Sequence, residues 1–222
     1  MPTRNDGPKH PGMLRLLALS LAVVLAPVVQ AHPHVFVDVA LRFSSDDDGR
    51  LTEVEVTWTY DDFFSLLVLE DRGLDPDGDM ILTEDERAAL MGFDLEHWEP
   101  GFEGALFIYA AGEKVSLGAP KATHVGMEDG QIVTRHIRPL NAVSAKNITL
   151  RPYDPSYYAA LDLVAVSGLP DGCKTEIIEP DTKAADAKVE KLGGAGMEAF
   201  YEEVQVGIHY ADELRVTCAP SS

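Results

Sequence analysis

Residues 34–60 read HVFVDVALRFSSDDDGRLTEVEVTWTY, and their alternation decides the fold class. Val35, Val37, Val39 and Leu41 fall on one side of an extended chain, with Phe36 and Asp38 on the other. A period of two marks a half-buried strand. Residues 44–50 carry three Asp and a Gly, a polar turn. Residues 51–60 alternate again and are rich in β-branched side chains, so the two runs form a hairpin. Asp61 is placed to cap a helix over 62–72, and a second helix is expected over 84–92 after an acidic loop. Strands return at 104–111, 114–117, 131–139, 145–151, 161–166 and 172–178, with turns at Gly112 and Asp129-Gly130. Residues 181–191 are rich in Ala and Lys and read as helix, as do 197–204 after the glycines at 193, 194 and 196. A last short strand covers 214–218. The expected class is α+β: antiparallel β-sheets, an inserted EF-hand-like helix–loop–helix at 62–97 and a C-terminal helical segment.

Working outward, residues 1–31 read as a secretory leader. Arg4, Lys9 and Arg15 supply positive charge, 14–29 is almost wholly apolar, and Val29-Gln30-Ala31 sets small residues where signal peptidase reads. The apolar run is shorter than the ~20 residues that span a bilayer, and no later stretch matches it. Residues 32–222 are therefore expected as one mature periplasmic domain that is not itself transmembrane; an uncleaved anchor is the alternative. Met13 is a second possible start, because 13–31 is a complete leader alone. No Cys follows the cleavage point, so lipid anchoring is not expected.

The chain has 222 residues, with 18 Lys and Arg against 37 Asp and Glu, a net charge of −19. A surface so acidic repels phosphate backbones and anionic lipid, which excludes nucleic acid as a partner and leaves cations as ligands. Cys173 and Cys218 are the only cysteines. In an oxidising compartment they are expected to pair, closing a loop of about 45 residues worth roughly 3–4 kcal/mol in the chain-entropy model. Free thiols or a metal pair are the alternative, and the spacing excludes a CxxC redox site.

The densest chemistry lies at 75–86, DPDGDMILTEDE. Asp75, Asp77 and Asp79 occupy loop positions one, three and five of an EF-hand, Ile81 supplies the position-seven carbonyl, Leu82 the apolar eighth, Thr83 the ninth, and Glu86 the closing twelfth. Close-spaced carboxylates suit a hard cation such as Ca²⁺, and the last Glu adds two oxygens. Position six is Met80, where the turn favours Gly; Met there costs roughly 1 kcal/mol or bends the loop. The competing reading is a solvated acidic turn in which Thr83 and Glu86 form a capping box.

Cleavage after Ala31 exposes His32-Pro33-His34. His32 offers its α-amine and imidazole to one metal, and His34 adds a second imidazole. Such donors suit Ni²⁺, Co²⁺, Cu²⁺ and Zn²⁺ rather than Ca²⁺. Pro33 lacks the N–H that a square-planar amide mode needs. Asp38 or a distant histidine (His97, His124, His136 or His209) is needed to complete the set. The competing readings are a solvated terminus and ordinary surface or core histidines.

The leader followed by AHPHVFVDV, then VTWTYDD, DPDGDMILTEDE, YDPSYY and the final RVTC, in that order, resembles the bacterial domain of unknown function 1007. The resemblance runs from His32 to Cys218. Members of that family are often labelled periplasmic components of an uncharacterised ABC-type transport system and are commonly encoded beside nickel/cobalt-type permeases. The resemblance implies His32, His34 and Asp38 as transition-metal ligands for Ni²⁺, Co²⁺ or Zn²⁺, and Asp75, Asp77, Asp79 and Glu86 as the hard-cation site. It implies an inner-membrane permease or ABC-type transport components as partners. The expected function is a non-enzymatic periplasmic metal-binding accessory protein. The chain carries no GxSxG, HExxH, P-loop or GxGxxG. The alternatives are a calcium-stapled interaction module and an oxidative copper enzyme built on the N-terminal His.

Overall fold

The chain divides into two units, residues 1–30 and 31–222. The computed structural model describes residues 33–96, 98, 102–193 and 198–219, all in the second unit. The alternation at 34–60 becomes a hairpin of β1 (Val35–Ser45) and β2 (Arg50–Tyr60), in register from Val37↔Tyr60 to Phe43↔Val54. Asp46 closes its turn by accepting from the Asp48 and Arg50 main-chain N–H groups.

A helix–loop–helix follows, α1 (Asp62–Arg72) and α2 (Glu84–Leu90), then a short 3₁₀ turn at Phe93–Leu95. Asp61 caps α1 through the Phe64 N–H and takes a second bond from the Phe36 N–H at 2.8 Å, so the cap also ties the helix to β1. Ser65, fully buried, accepts from the Ile132 N–H at 2.8 Å and fixes the other side of α1. The remaining strands are β3 (Leu106–Ala110), β4 (Glu113–Lys114), β5 (Lys121–Glu128), β6 (Gln131–Ser144), β7 (Ile148–Pro152), β8 (Ala159–Ser167), β9 (Cys173–Ile178) and β10 (Glu213–Cys218). Between the last two lie α3 (Thr182–Lys191), α4 (Glu198–Val204) and a 3₁₀ turn at Val206–His209.

The strands form two five-stranded sheets, ordered β5-β6-β2-β1-β8 and β4-β3-β7-β10-β9. Both contribute to one apolar cluster: Val37, Val39, Leu41, Val54 and Val56 from the first, Ile108, Leu150, Leu214 and Val216 from the second. Cys173 and Cys218 face each other across β9 and β10 and are joined by a disulfide. A smaller cluster of Val189, Tyr201 and Val206 holds α3 and α4 together.

The sheets are mainly antiparallel, as expected, with one correction. β8 runs parallel to β1, from Val35↔Ala159 onward, because it returns by a long crossover rather than a hairpin. Of the expected strand at 114–117 only Lys114 lies in a strand, the two-residue β4, and β6 extends five residues past 139. α2 stops at Leu90, ahead of Gly92 in the left-handed region at φ +76°. β5 has no counterpart in the sequence reading: only Val125 in it is buried, so no apolar alternation marks it. No helix among the described residues is long and apolar enough to cross a membrane.

Candidate functional site

The acidic loop hangs between α1 and α2 and is anchored at both ends. Gly73 ends α1 in the left-handed region, and the Leu74 N–H bonds the Leu69 carbonyl. Leu82, 5% exposed, plugs the loop into the core beside Leu90. Between these anchors, one carboxylate oxygen from each of Asp75, Asp77 and Asp79 lies within 4.8 Å of the others. Oxygens on one Ca²⁺ sit 2.3–2.6 Å from it, so two of them can stand at most about 5 Å apart. The spacing of the three carboxylates falls within that limit. Their mutual repulsion is visible: the Asp79 charge, then desolvation and Asp75, raise the Asp77 pKa.

Met80 sits at φ +59°. The backbone has taken the left-handed conformation that Gly adopts freely, and Met80 is held there by packing against the core. Asp75 accepts from the main-chain N–H groups of Asp79 and Met80, both at 3.1 Å, which curls the loop around its own first carboxylate. Ile81 is exposed, and its N–H donates to Asp79 at 2.8 Å. Glu86 lies outside the gathered set. One of its oxygens accepts from the Thr83 N–H at 2.8 Å and the Thr83 hydroxyl at 2.7 Å, and the other from the Asp75 N–H at 3.0 Å. These bonds make the capping box of α2 and lower the Glu86 pKa. They also tie the first residue of the loop to its last.

His32 lies outside the described residues, as does His97. His34 is exposed where β1 begins; its N–H donates to the Tyr158 carbonyl at 2.8 Å and its ring lies 4.9 Å from the Tyr158 ring. Tyr158 in turn borders a cleft of about 420 Å³ lined by Trp58, Tyr60, Phe64 and Phe102. Asp38 shares the outward face of β1 with His34, but Phe36 stands between them and the strand separates them by about 13 Å. Asp38 instead faces Asp162 across the parallel pair. Burial, then the charges of Asp212 and Asp38, raise the Asp162 pKa. The other histidines are dispersed. His124 borders a cleft behind the acidic loop with Met80, Leu82 and Arg87. His209 ends the last 3₁₀ turn, and His136 is buried on β6.

A buried polar row escaped the sequence reading. Thr134, His136 and Arg138 all point into the core, each 3% exposed or less. They are inward because β6 pairs with β2 in the register Trp58↔Thr134, Val56↔His136 and Val54↔Arg138, and directly opposed residues share a face. Thr134 and Tyr60 both donate to the Asp94 carboxylate, at 2.7 and 3.3 Å. Neither ring nitrogen of His136 has a hydrogen-bond partner among the described residues. Burial, then the Arg138 charge, push its pKa down to about 4.

The description "Protein of unknown function (DUF1007)" matches the chain over residues 17–218. The chain belongs to the DUF1007 family. That match spans the hairpin, the acidic loop and the disulfide of this DUF1007 protein alike. No curated protein matches it. Among solved structures it is similar to the Biomphalaria glabrata acetylcholine-binding protein type 1, with a TM-score of 0.32 and 11% identity over 95% of this chain and 98% of that one. It is also similar to an acetylcholine-binding protein from Bulinus truncatus, with a TM-score of 0.30 and 7% identity over 94% and 97%. Scores that low do not establish a shared fold.

Proposed function

We propose that this DUF1007 protein is a non-enzymatic, exported cation-binding protein that works beside a membrane permease, and that its acidic loop takes Ca²⁺. The observation that carries the reading is the convergence of Asp75, Asp77 and Asp79 between two capped helices. Three hard oxygens at that spacing match Ca²⁺ better than nickel, cobalt or zinc, which favour imidazole. Bound there, the ion relieves the repulsion that raises the Asp77 pKa and staples α1 to α2. Weak affinity suffices outside the cytoplasm, where such modules work at roughly 10⁻⁴–10⁻³ M.

The transition-metal role, with capture of Ni²⁺, Co²⁺ or Zn²⁺ for a permease, rests on His32 and His34. One observation favours keeping it as a second reading: His34 is exposed just before β1, two residues after the one that cleavage would free. The test is calorimetric titration with Ca²⁺, Ni²⁺, Co²⁺ and Zn²⁺ of the wild type and of a Asp75→Asn, Asp77→Asn double variant. The proposal expects Ca²⁺ binding that the double variant loses, while transition-metal binding persists in it. Absence of Ca²⁺ binding, or Ca²⁺ binding unaffected by the double variant, overturns the loop assignment.

A further inference from the structure

Arg138 is 3% exposed and forms no ion pair with any described residue. Its Nε donates to the Gly118 carbonyl at 2.6 Å and its Nη1 to the Glu103 carbonyl at 3.1 Å. Both acceptors are main-chain oxygens, and burial lowers the Arg138 pKa while the nearby Glu103 charge offsets part of that. Nη2 donates to no described residue, yet it is not sealed in the core; Arg138 lines a cavity of about 300 Å³ together with Trp98, Phe102, Glu103, Ser116 and Pro120. The guanidinium carbon stands 4.9 Å from the Trp98 ring centroid, over the indole.

A buried cation that makes no direct ion pair is costly, and the cost falls if an anion enters. The carboxylate in the cavity wall, Glu103, is already bound to Lys114 at 2.7 Å. Among the described residues, Arg138, Glu103 and its partner Lys114 together carry one net positive charge in and beside this cavity, in a chain whose net charge is −19. His136, next on the same inward face, is neutral and also without a partner. The fork of N–H donors in a guanidinium matches the two oxygens of a carboxylate. The Trp98 and Phe102 rings in the wall suit an apolar body, and the volume lies at the small end of ligand sites.

We propose that the cavity beside Arg138 binds a small organic monocarboxylate, the guanidinium taking the carboxylate and Trp98 and Phe102 covering the apolar body. This site is independent of the cation site and is carried by different residues.

The test follows the Trp98 indole N–H by two-dimensional NMR while the purified protein is titrated with benzoate, with benzamide as the neutral isostere, and with inorganic phosphate. The expected result is a saturable shift with benzoate, and binding of benzamide and phosphate weaker by roughly tenfold or more. Arg138→Lys keeps the charge but loses the fork, and is expected to weaken benzoate roughly tenfold while still folding. Should Arg138→Lys fail to fold, the comparison of benzoate with benzamide in the wild type decides alone. Equal binding of benzoate and benzamide, preference for phosphate, or no benzoate shift at all overturns the proposal.

Discussion

Acid should weaken this fold through His136 before its surface carboxylates titrate. The ring is 1% exposed, touches Trp58 at 4.9 Å and Trp98 at 6.1 Å edge-on, and has no hydrogen-bond partner for either nitrogen. Burial and the neighbouring Arg138 charge hold its folded pKa at about 4, against 6.5 in the unfolded chain. The folded pKa is depressed, so the unfolded state takes up the proton first. Stability is full above about pH 6.5 and drains away as pH falls toward 4. At about 1.4 kcal/mol per tenfold change in proton affinity, the complete loss is about 3 kcal/mol, of which about 2 kcal/mol falls between pH 7 and 5. His136→Phe keeps an aromatic ring between the two indoles and removes the titrating group. Urea unfolding of both proteins at about pH 7, 6 and 5 isolates the effect, because titration of every other group cancels in the difference. The stability of His136→Phe relative to wild type should rise by about 2 kcal/mol across that range. A difference that stays constant with pH would refute the reasoning.

Three further outcomes follow from the packing. Replacing Cys173 and Cys218 by Ser should lower stability by about 3–4 kcal/mol, read from urea midpoints, because the bridge closes a span of 45 residues. Gly104→Ala should cost roughly 2 kcal/mol or more: Gly104 has φ +70°, and an added Cβ would run into the Trp98 ring and Arg138 Nη1. A near-neutral thermal shift would contradict that packing. If His32 binds a transition metal through its α-amine, one extra residue ahead of it should abolish calorimetric Ni²⁺ binding and leave Ca²⁺ binding intact.

The local rules carried far in this chain. The period of two over 34–60, the Asp61 cap and the Thr83–Glu86 box each depend on neighbours in sequence, and all three appear in the structure. The acidic loop was legible for the same reason, down to the unusual demand on Met80, whose positive φ meets the need for Gly without Gly. What stayed hidden depends on register. In 131–139 the chain offers Ile and Val on both parities, so nothing local says that Thr134, His136 and Arg138 face inward. That is set by pairing with β2, more than seventy residues earlier in sequence. The parallel placement of β8 against β1 is likewise a choice between distant edges. Glu86 shows a third kind of limit, since one carboxylate served two sequence patterns at once and only the structure shows which oxygens the cap occupies.

The most direct test of the central claim is a crystal structure of the protein grown in saturating Ca²⁺. The account predicts one ion between α1 and α2, with oxygens of Asp75, Asp77 and Asp79 at about 2.3–2.6 Å from it. An ordered loop that holds no ion under those conditions would contradict it.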